Sequence, residues 1–426
     1  MQRKSISLDT DPYKGVRDFY PEDQFIQSYI FETWRKAVQS FGYEEYNASI
    51  IEPADLYKAK SGQEIVNEQT YTFIDRGERE VTLRPEMTPT VARMVAKKRR
   101  ELGFPLRLFS IPNVFRYERP QKGRLREHWQ LNVDLFGSSS VFADIEQIEL
   151  SAHIMSSFGA KQSDYVIKLS SRKLLNSLFS EWYELDEDTS HALKKLIDKK
   201  NKIPEEDFYT QAEQILGTPF EFLNWQDEND AKVTEALAFP NIREAYMEIK
   251  NILDVLKERG IENAEFDQTL IRGFDYYTGI TFEVFDTHPE NNRSLFGGGR
   301  YDELLGLFGS DEVPACGFGM GDVTIADFLA VRDLLPKYVP ATKIMICPLK
   351  EENIEGCQKI ASDLRAKNIS VSINYSGKSV GDQIKAAEKL HIPYVIVIGD
   401  DEISSGSYKI KNLESGMEFD SIDQLV

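Results

Sequence analysis

Three stretches of this 426-residue chain place polar side chains closer together than local structure requires. The first is TLRPEMTP, with Arg84, Glu86 and Thr88. A carboxylate and a hydroxyl two residues apart at a strand-to-helix corner suit an ammonium group. Taken alone, they more readily suit a plain helix start, where Glu favours the N-terminus and Thr caps it. The second runs from Phe115 to Gly137. Arg116 precedes a loop that adds Arg119, Lys122, Arg124 and Arg126. Gln130, Asn132 and Asp134 then alternate, so their side chains share one face of a strand. That face is either a lined cleft or a solvent-facing sheet surface. Arg116 is the sharper feature, because guanidinium groups grip phosphate oxygens bidentately. The third is IRGFDYYTGITFEVF, with Arg272, Asp275, Tyr276 and Tyr277, followed by FGGGRYDELLG and PACGFGMGD. Glycines at 297, 298, 299, 317, 319 and 321 allow close backbone approach.

Other chemistries lack their residues. GFGMG does not open a βαβ dinucleotide unit, and GxxxxGK[ST] does not occur. No Ser-His-Asp or Cys-His arrangement stands in a recognisable context, and the five histidines form no metal-ligand pattern. The expected enzyme chemistry is therefore positioning and charge stabilisation without a covalent nucleophile. A net charge of −19 argues against a general nucleic-acid binder. Two local cationic clusters remain: KKRR at Lys97 to Arg100, which also reads as a solvated helix end, and the loop after Arg116. Cys316, Cys347 and Cys357 are too far apart for a disulfide framework or a metal pattern. With no signal peptide and no run of about 18 apolar residues, a reducing cytoplasm is the simplest expectation.

The elements that must carry these residues can be read from periodicity. EDQFIQSYIFETWRKAVQSFGY has helical spacing and Gly42 as its stop. YTFIDRGEREVTLRPE reads as two strands around Asp75-Arg76-Gly77, and MTPTVARMVAKKRR as a helix with Pro89 in its first turn. RLFSIPNVFRYE and REHWQLNVDLFG read as two strands joined by the cationic loop, and DIEQIELSAHIMSSFG as a helix. From about Arg172 to Gly260 helical periodicity dominates, and strand character returns with ITFEVF. LLPKYVPATK is a linker, and the strands and helices beyond it predict a small α/β domain with mainly parallel strands. The expected organisation is 1–171 and 263–335 as two parts of one domain, 172–262 as a helical insertion, and 341–426 as a separate domain.

TLRPEMTP, FRYERPQKGRLREHWQ, IRGFDYYTGITFEVF and GGGRYDEL resemble, in order and approximate spacing, the histidyl-tRNA synthetases, which are class II aminoacyl-tRNA synthetases. The tail LRAKNISVSINYSGKSVGDQIKAAEKLHIPYVIVIGDDE is similar to their C-terminal domain. The resemblance implies an α/β fold of the α+β kind. An antiparallel class II sheet is flanked by helices, with a helical insertion and a C-terminal α/β anticodon-binding domain. It implies a histidine–tRNA ligase that uses L-histidine, ATP with Mg2+, and tRNA(His), as a cytoplasmic homodimer without a membrane. Glu86, Thr88 and Gln130 would hold the ammonium group of histidine. Asp134 and Tyr277 would bracket its imidazole, with Tyr276 lining the pocket. Arg116 and Arg272, the catalytic pair, would hold the α-phosphate, with Glu118 also at the ATP site. Asp275 would orient Arg272 or a tyrosine. Arg119, Lys122, Arg124 and Arg126 would face the tRNA acceptor stem. No protein-bound metal is implied.

Two positions depart from the family pattern. Thr324 stands where the third motif usually has an arginine that helps seat ATP, and Ser49 stands where the first motif usually has proline. The alternative reading is the regulatory subunit of ATP phosphoribosyltransferase, a histidine-sensing paralogue. That paralogue typically lacks the C-terminal domain and often degrades the RGFDYY segment, which is intact here. A class II enzyme for another amino acid would have to account for Asp134 and the Tyr276–Tyr277 pair.

Overall fold

The computed structural model describes residues 9–58, 69–121, 123–200, 203–225, 227, 230–271, 276–289, 291, 293–309 and 312–425. The chain divides into two compact units: residues 26–335 with the segment ending at Asp18, and Pro336–Val426 with Phe19–Phe25.

Helix α1 (Pro21–Ser40) buries Ile30, Trp34, Ala37 and Val38, a stripe at three- and four-residue spacing. Gly42 follows at φ +81° and ends it. The strands of the large unit, in chain order, are β1 (Glu44–Glu45), β2 (Ile51–Pro53), β3 (Tyr71–Ile74), β4 (Glu80–Leu83), β5 (Leu106–Ser110), β6 (Asn113–Phe115), β7 (Glu127–Phe136), β8 (Tyr165–Ser171), β9 (Ala264–Phe266), β10 (Ile280–Asp286), β11 (Ser294–Arg300) and β12 (Ala315–Gly321). Nine of them form one sheet among the described residues, in the order β1-β5-β7-β12-β11-β10-β8-β9, with β6 paired to β7. Its interior pairings are antiparallel, and only the end pairs β1–β5 and β8–β9 are parallel. A smaller sheet, β2-β4-β3, precedes helix α2 (Thr88–Lys98).

Strand β7 shows how one sequence serves two faces. Leu131, Val133 and Leu135 enter the main hydrophobic core, and the intervening Asn132 and Asp134 are buried on the other side. The sequence expectation of one strand over RLFSIPNVFRYE needs correction. The chain breaks into β5 and β6 around Pro112, which has no N–H to donate to a ladder.

Helix α3 (Val141–Ser157) starts at Ser140, whose hydroxyl accepts the Phe142 N–H at 3.3 Å. Asp144 in its first turn meets Arg300, the last residue of β11, at 2.6 Å, and both side chains are buried. Arg300 also donates to the Ser138 carbonyl at 2.9 Å, to Asp302 at 3.1 Å and to the Ser140 carbonyl at 3.2 Å. This saturated fork fixes where β11 ends and the RYD turn begins.

Between β8 and β9 lie helices α4 (Arg172–Ser177), α5 (Glu187–Ile197), α6 (Glu205–Leu216), α7 (Ala231–Ala236) and α8 (Pro240–Glu258), with a π-helical turn at Leu178–Trp182. Asp186 caps α5 by accepting the Thr189 N–H at 2.8 Å. Gly217 and Gly260, at φ +71° and +81°, close α6 and α8. Helix α8 turns Ile242, Ala245, Ile249, Ile252 and Leu256 into the same core as the sheet.

After β12 comes helix α9 (Asp322–Val331). The second unit holds β13 (Ile344–Pro348), α10 (Ile354–Ala366), β14 (Val371–Ile373), α11 (Val380–Lys389), β15 (Tyr394–Ile398), β16 (Ile410–Asn412) and β17 (Glu418–Phe419). The order is β14-β13-β15-β16-β17; the first three are parallel and the last two antiparallel additions. Ile344, Ile346, Ile396 and Ile398 form its core with Cys357 and Leu364.

Asp144→Ala removes the buried carboxylate that takes Arg300 Nε and Nη2 and leaves the guanidinium, among the described residues, only Asp302 as counter-charge. Urea unfolding should show a loss of about 3–5 kcal/mol. A loss within the range of a surface pair, below about 1 kcal/mol, would show that the pair does not hold this corner.

Candidate active site

The site is built where β7, β12 and β11 run side by side. Gly317, Gly319 and Gly321 of β12 stand opposite Asp134, Asn132 and Gln130 of β7. Gly297 and Gly299 of β11 face Gly319 and Gly317. Three of these glycines are sterically required: a Cβ on Gly317, Gly297 or Gly299 would strike the backbone carbonyl of Val133, Phe282 or Ile280. On Gly319 it would meet the end of the Gln130 side chain. The bare strands leave a cavity of about 180 Å³, lined by Glu86, Thr88, Arg116 and Gln130 together with Tyr276, Tyr277 and Tyr301.

The corner before α2 delivers the first of these groups. Helix α2 has no side-chain N-cap, which removes the capping role open to Thr88 from the sequence. The Thr88 hydroxyl instead accepts from Asn132 Nδ2 at 3.3 Å, and Asn132 Oδ1 accepts from Gln130 Nε2 at 2.5 Å. Glu86 is buried and accepts the Tyr276 hydroxyl at 3.0 Å. Arg84 has a different task from its neighbours. Its guanidinium donates to the Asn113 carbonyl (2.8 Å), the Asn113 side chain (3.1 Å) and the Ala48 carbonyl (2.9 Å). It staples the corner in place.

Arg116 follows β6, and its Nε donates to the Pro85 carbonyl at 2.9 Å, which sets the plane of the guanidinium at the cavity wall. Asp134 lies deeper. The Tyr301 hydroxyl donates to its Oδ1, and its buried Oδ2 has no hydrogen-bond partner. Burial pushes this carboxyl up to about 7, against the opposing hydrogen bonds from Tyr301 and Asn132. The rings of Tyr276, Tyr277 and Tyr301 lie 5.1–6.2 Å apart, and burial raises all three phenols far above their ordinary value. They therefore act as neutral donors and acceptors.

The remaining sequence candidates are placed as follows. Arg272, Asp275 and Lys122 lie outside the described residues. Arg119 is exposed on the loop. Arg124 pairs with Glu118 at 3.3 Å, which turns that carboxylate toward the loop. Arg126 is engaged within the protein: it lies over the Tyr117 ring at 4.1 Å and donates to the Tyr13 hydroxyl at 2.8 Å. The Thr324 hydroxyl donates to the Leu295 carbonyl at 2.7 Å.

Two residues, one lining the cavity and one beside it on β7, escaped the sequence reading. Tyr301 was visible in GGGRYDEL, but its link to Asp134 spans 167 positions and leaves no local signal. His128 precedes Gln130 on the same face of β7, and burial, with the fields of Arg116 and Arg17, pushes it down to about 3, so the imidazole is neutral.

Asp134 carries a pH signature. Its folded pKa lies above the unfolded value of roughly 3.9, so the folded state holds the extra proton. Its favourable contribution is full below about pH 4 and is lost as pH rises toward 7. Asp134→Asn should therefore gain stability relative to the parent protein as pH rises from 5 to 8 in urea titrations. Parallel curves would show that the buried carboxyl titrates normally.

The family model described as histidyl-tRNA synthetase matches residues 15–323, and that described as anticodon binding domain matches residues 343–425. The histidine–tRNA ligase of Leptospira biflexa serovar Patoc (strain Patoc 1 / Ames) is 42% identical over 419 residues, covering 98% of this chain and 96% of its own. That of Thermoplasma volcanium is 34% identical over 409 residues, covering 95% and 94%. Histidyl-tRNA synthetase from Nostoc sp. PCC 7120 shares the fold, with a TM-score of 0.78 at 21% identity over 98% of both chains. With a match running through every strand of the cleft and on into the second unit, the chain belongs to the histidyl-tRNA synthetase family.

Proposed function

We propose that the chain is a histidine–tRNA ligase, which joins L-histidine to ATP as histidyl-adenylate and transfers it to the 3′ end of tRNA(His). The single observation that carries the residue assignments is the composition of the cavity wall: an acid, a hydroxyl, an amide and a guanidinium converge on one space faced by three phenols. Glu86, Thr88 and Gln130 accept the hydrogens of the ammonium group. Asp134 and Tyr277 bracket the imidazole, and Tyr276 lines the pocket while bonded to Glu86.

Arg116 and Arg272 hold the α-phosphate, with Glu118 at the same end. The histidine carboxylate attacks that phosphorus in line, and pyrophosphate leaves with the bonding electrons. Negative charge grows on the phosphoryl oxygens in the transition state, where fixed guanidinium groups act most. Mg2+ arrives with ATP, as part of that substrate, and shares the charge. A ribose hydroxyl of the terminal adenosine then attacks the acyl carbon, releasing AMP. Arg119, Lys122 and Arg124 face the acceptor stem, with Arg126 anchoring the loop base. Residues 1–171 and 263–335 form the catalytic domain, 172–262 its helical insertion, and 341–426 the anticodon-binding domain. The protein acts in the cytoplasm as a homodimer; exposed Ile50, Ile51, Phe73 and Ile74 around the small sheet support a covered face there. Among the described residues no helix is long and apolar enough to cross a membrane. A purely regulatory, histidine-sensing role is disfavoured by the anticodon-domain match over residues 343–425.

Histidine-dependent ATP–pyrophosphate exchange, followed by tRNA charging, tests the reading; histidine binding without exchange would overturn it. Glu86→Ala should raise KM for histidine about 10- to 100-fold, the worth of a charge-assisted hydrogen bond, and leave KM for ATP in place. Equal shifts in both would remove Glu86 from the ammonium site. Arg272→Ala should lower the adenylation rate far more than histidine affinity; a pure loss of affinity would contradict its role.

A further inference from the structure

Thr324 offers no charge at its end of the cleft, and its hydroxyl is taken by the carbonyls of Leu295 (2.7 Å) and Gly321 (3.1 Å). A guanidinium reaches the same turn of α9 from the far end of the sequence. Arg17 donates from Nη2 to Asp322 Oδ2 at 2.7 Å, and Asp322 Oδ1 accepts the Trp129 N–H at 3.0 Å. The Asp322 side chain is 4% exposed, whereas that of Arg17 keeps 28% of its surface. The segment carrying Arg17 is itself fixed to the cationic loop. The Gly15 carbonyl accepts the Arg126 N–H at 2.7 Å, and at φ +88° an added Cβ would meet Arg126 at 2.8 Å.

The strand face that carries Gln130 at the cavity wall continues toward this point. Gln130 stands opposite Gly321, and His128 extends the same face of β7, its ring edge 3.9 Å from where a Cβ on Gly321 would sit. Arg116 at the cavity wall and Arg17 at the α9 turn both act on His128. A polyanion laid from Arg116 across His128 therefore runs toward a second cation.

We infer that Arg17 is the positive group that seats the triphosphate of ATP at the Gly321 end of the cleft, held in place by Asp322, where Thr324 supplies none. The inference rests on the histidine–tRNA ligase reading and names a residue of that site. Arg17 acts as a positioning residue for ATP and takes no part in histidine recognition.

The test is ATP–pyrophosphate exchange with the full chain, varying ATP and histidine separately. Arg17→Ala should raise KM for ATP about 10- to 100-fold, the effect of one charge-assisted contact, with KM for histidine within about twofold. Asp322→Asn separates this role from a purely structural tie. It keeps a side-chain oxygen that can accept from Arg17 and from the Trp129 N–H but removes the neutralising charge, so the cation stays placed and KM for ATP should stay level or fall. If Arg17 were only a strut, both substitutions would loosen the turn alike and raise both KM values together, overturning the inference. Thr324→Arg in the Arg17→Ala background should restore KM for ATP; no restoration in a folded protein, or an unmoved KM in Arg17→Ala, also overturns it. Absence of exchange in the unmodified protein would instead defeat the ligase reading, and this inference with it.

Discussion

A polar side chain in the middle of a sheet must find partners or lose the hydrogen bonds it had in water, at a cost of about 1–3 kcal/mol each. Gln130 and Asn132 meet that constraint on one face of β7, and Asp134 meets it at Oδ1 alone, because the facing strands have no side chains to exclude their partners. Gly317 and Gly319 open the space, and Thr88 and Tyr301 fill its edges with matching donors and acceptors. Every other feature of the site follows from that steric concession. Without it, the ladder from Gln130 through Asn132 to Thr88 would have no room, and the Glu86–Tyr276 contact would face packed side chains instead of a cavity.

Holding such a site open requires rigid supports outside it. The Arg300–Asp144 pair fixes the end of β11, Arg84 fixes the corner before Glu86, and the Pro85 carbonyl sets the plane of Arg116. None of these contacts touches the cavity's own hydrogen-bonding ladder. The arrangement brings charged groups and neutral phenols to one cavity. A zwitterionic amino acid with a ring that both donates and accepts matches that combination.

Much of this was legible in the chain because its signals are local. Alternation at Gln130, Asn132 and Asp134 gave the strand face directly, and Gly42 and Gly260 marked helix ends through their backbone freedom. Glu86 and Thr88 were ambiguous, since a helix start and an ammonium site ask for the same residues. Only the absence of a side-chain cap on α2 and the bond from Asn132 separate the two. Arg84 looked like a third member of that group and is a staple, because its partners at Ala48 and Asn113 lie 36 and 29 positions away. Tyr301 and the Arg17–Asp322 pair were illegible for the same reason, with separations of 167 and 305 positions. Pro112 splitting β5 from β6 had a local signal, the missing N–H, that apolar continuity concealed.

The Arg84 staple has a mechanical meaning. One guanidinium binds the carbonyls of Ala48 and Ser49 on one side and Asn113 on the other, two residues before Glu86. The backbone leading into the exposed Ile50 and Ile51 is thus tied through one side chain to the corner that carries the buried Glu86 at the cavity wall. The outer edge of the small sheet and that corner share a single attachment, so the two belong to one braced part of the fold.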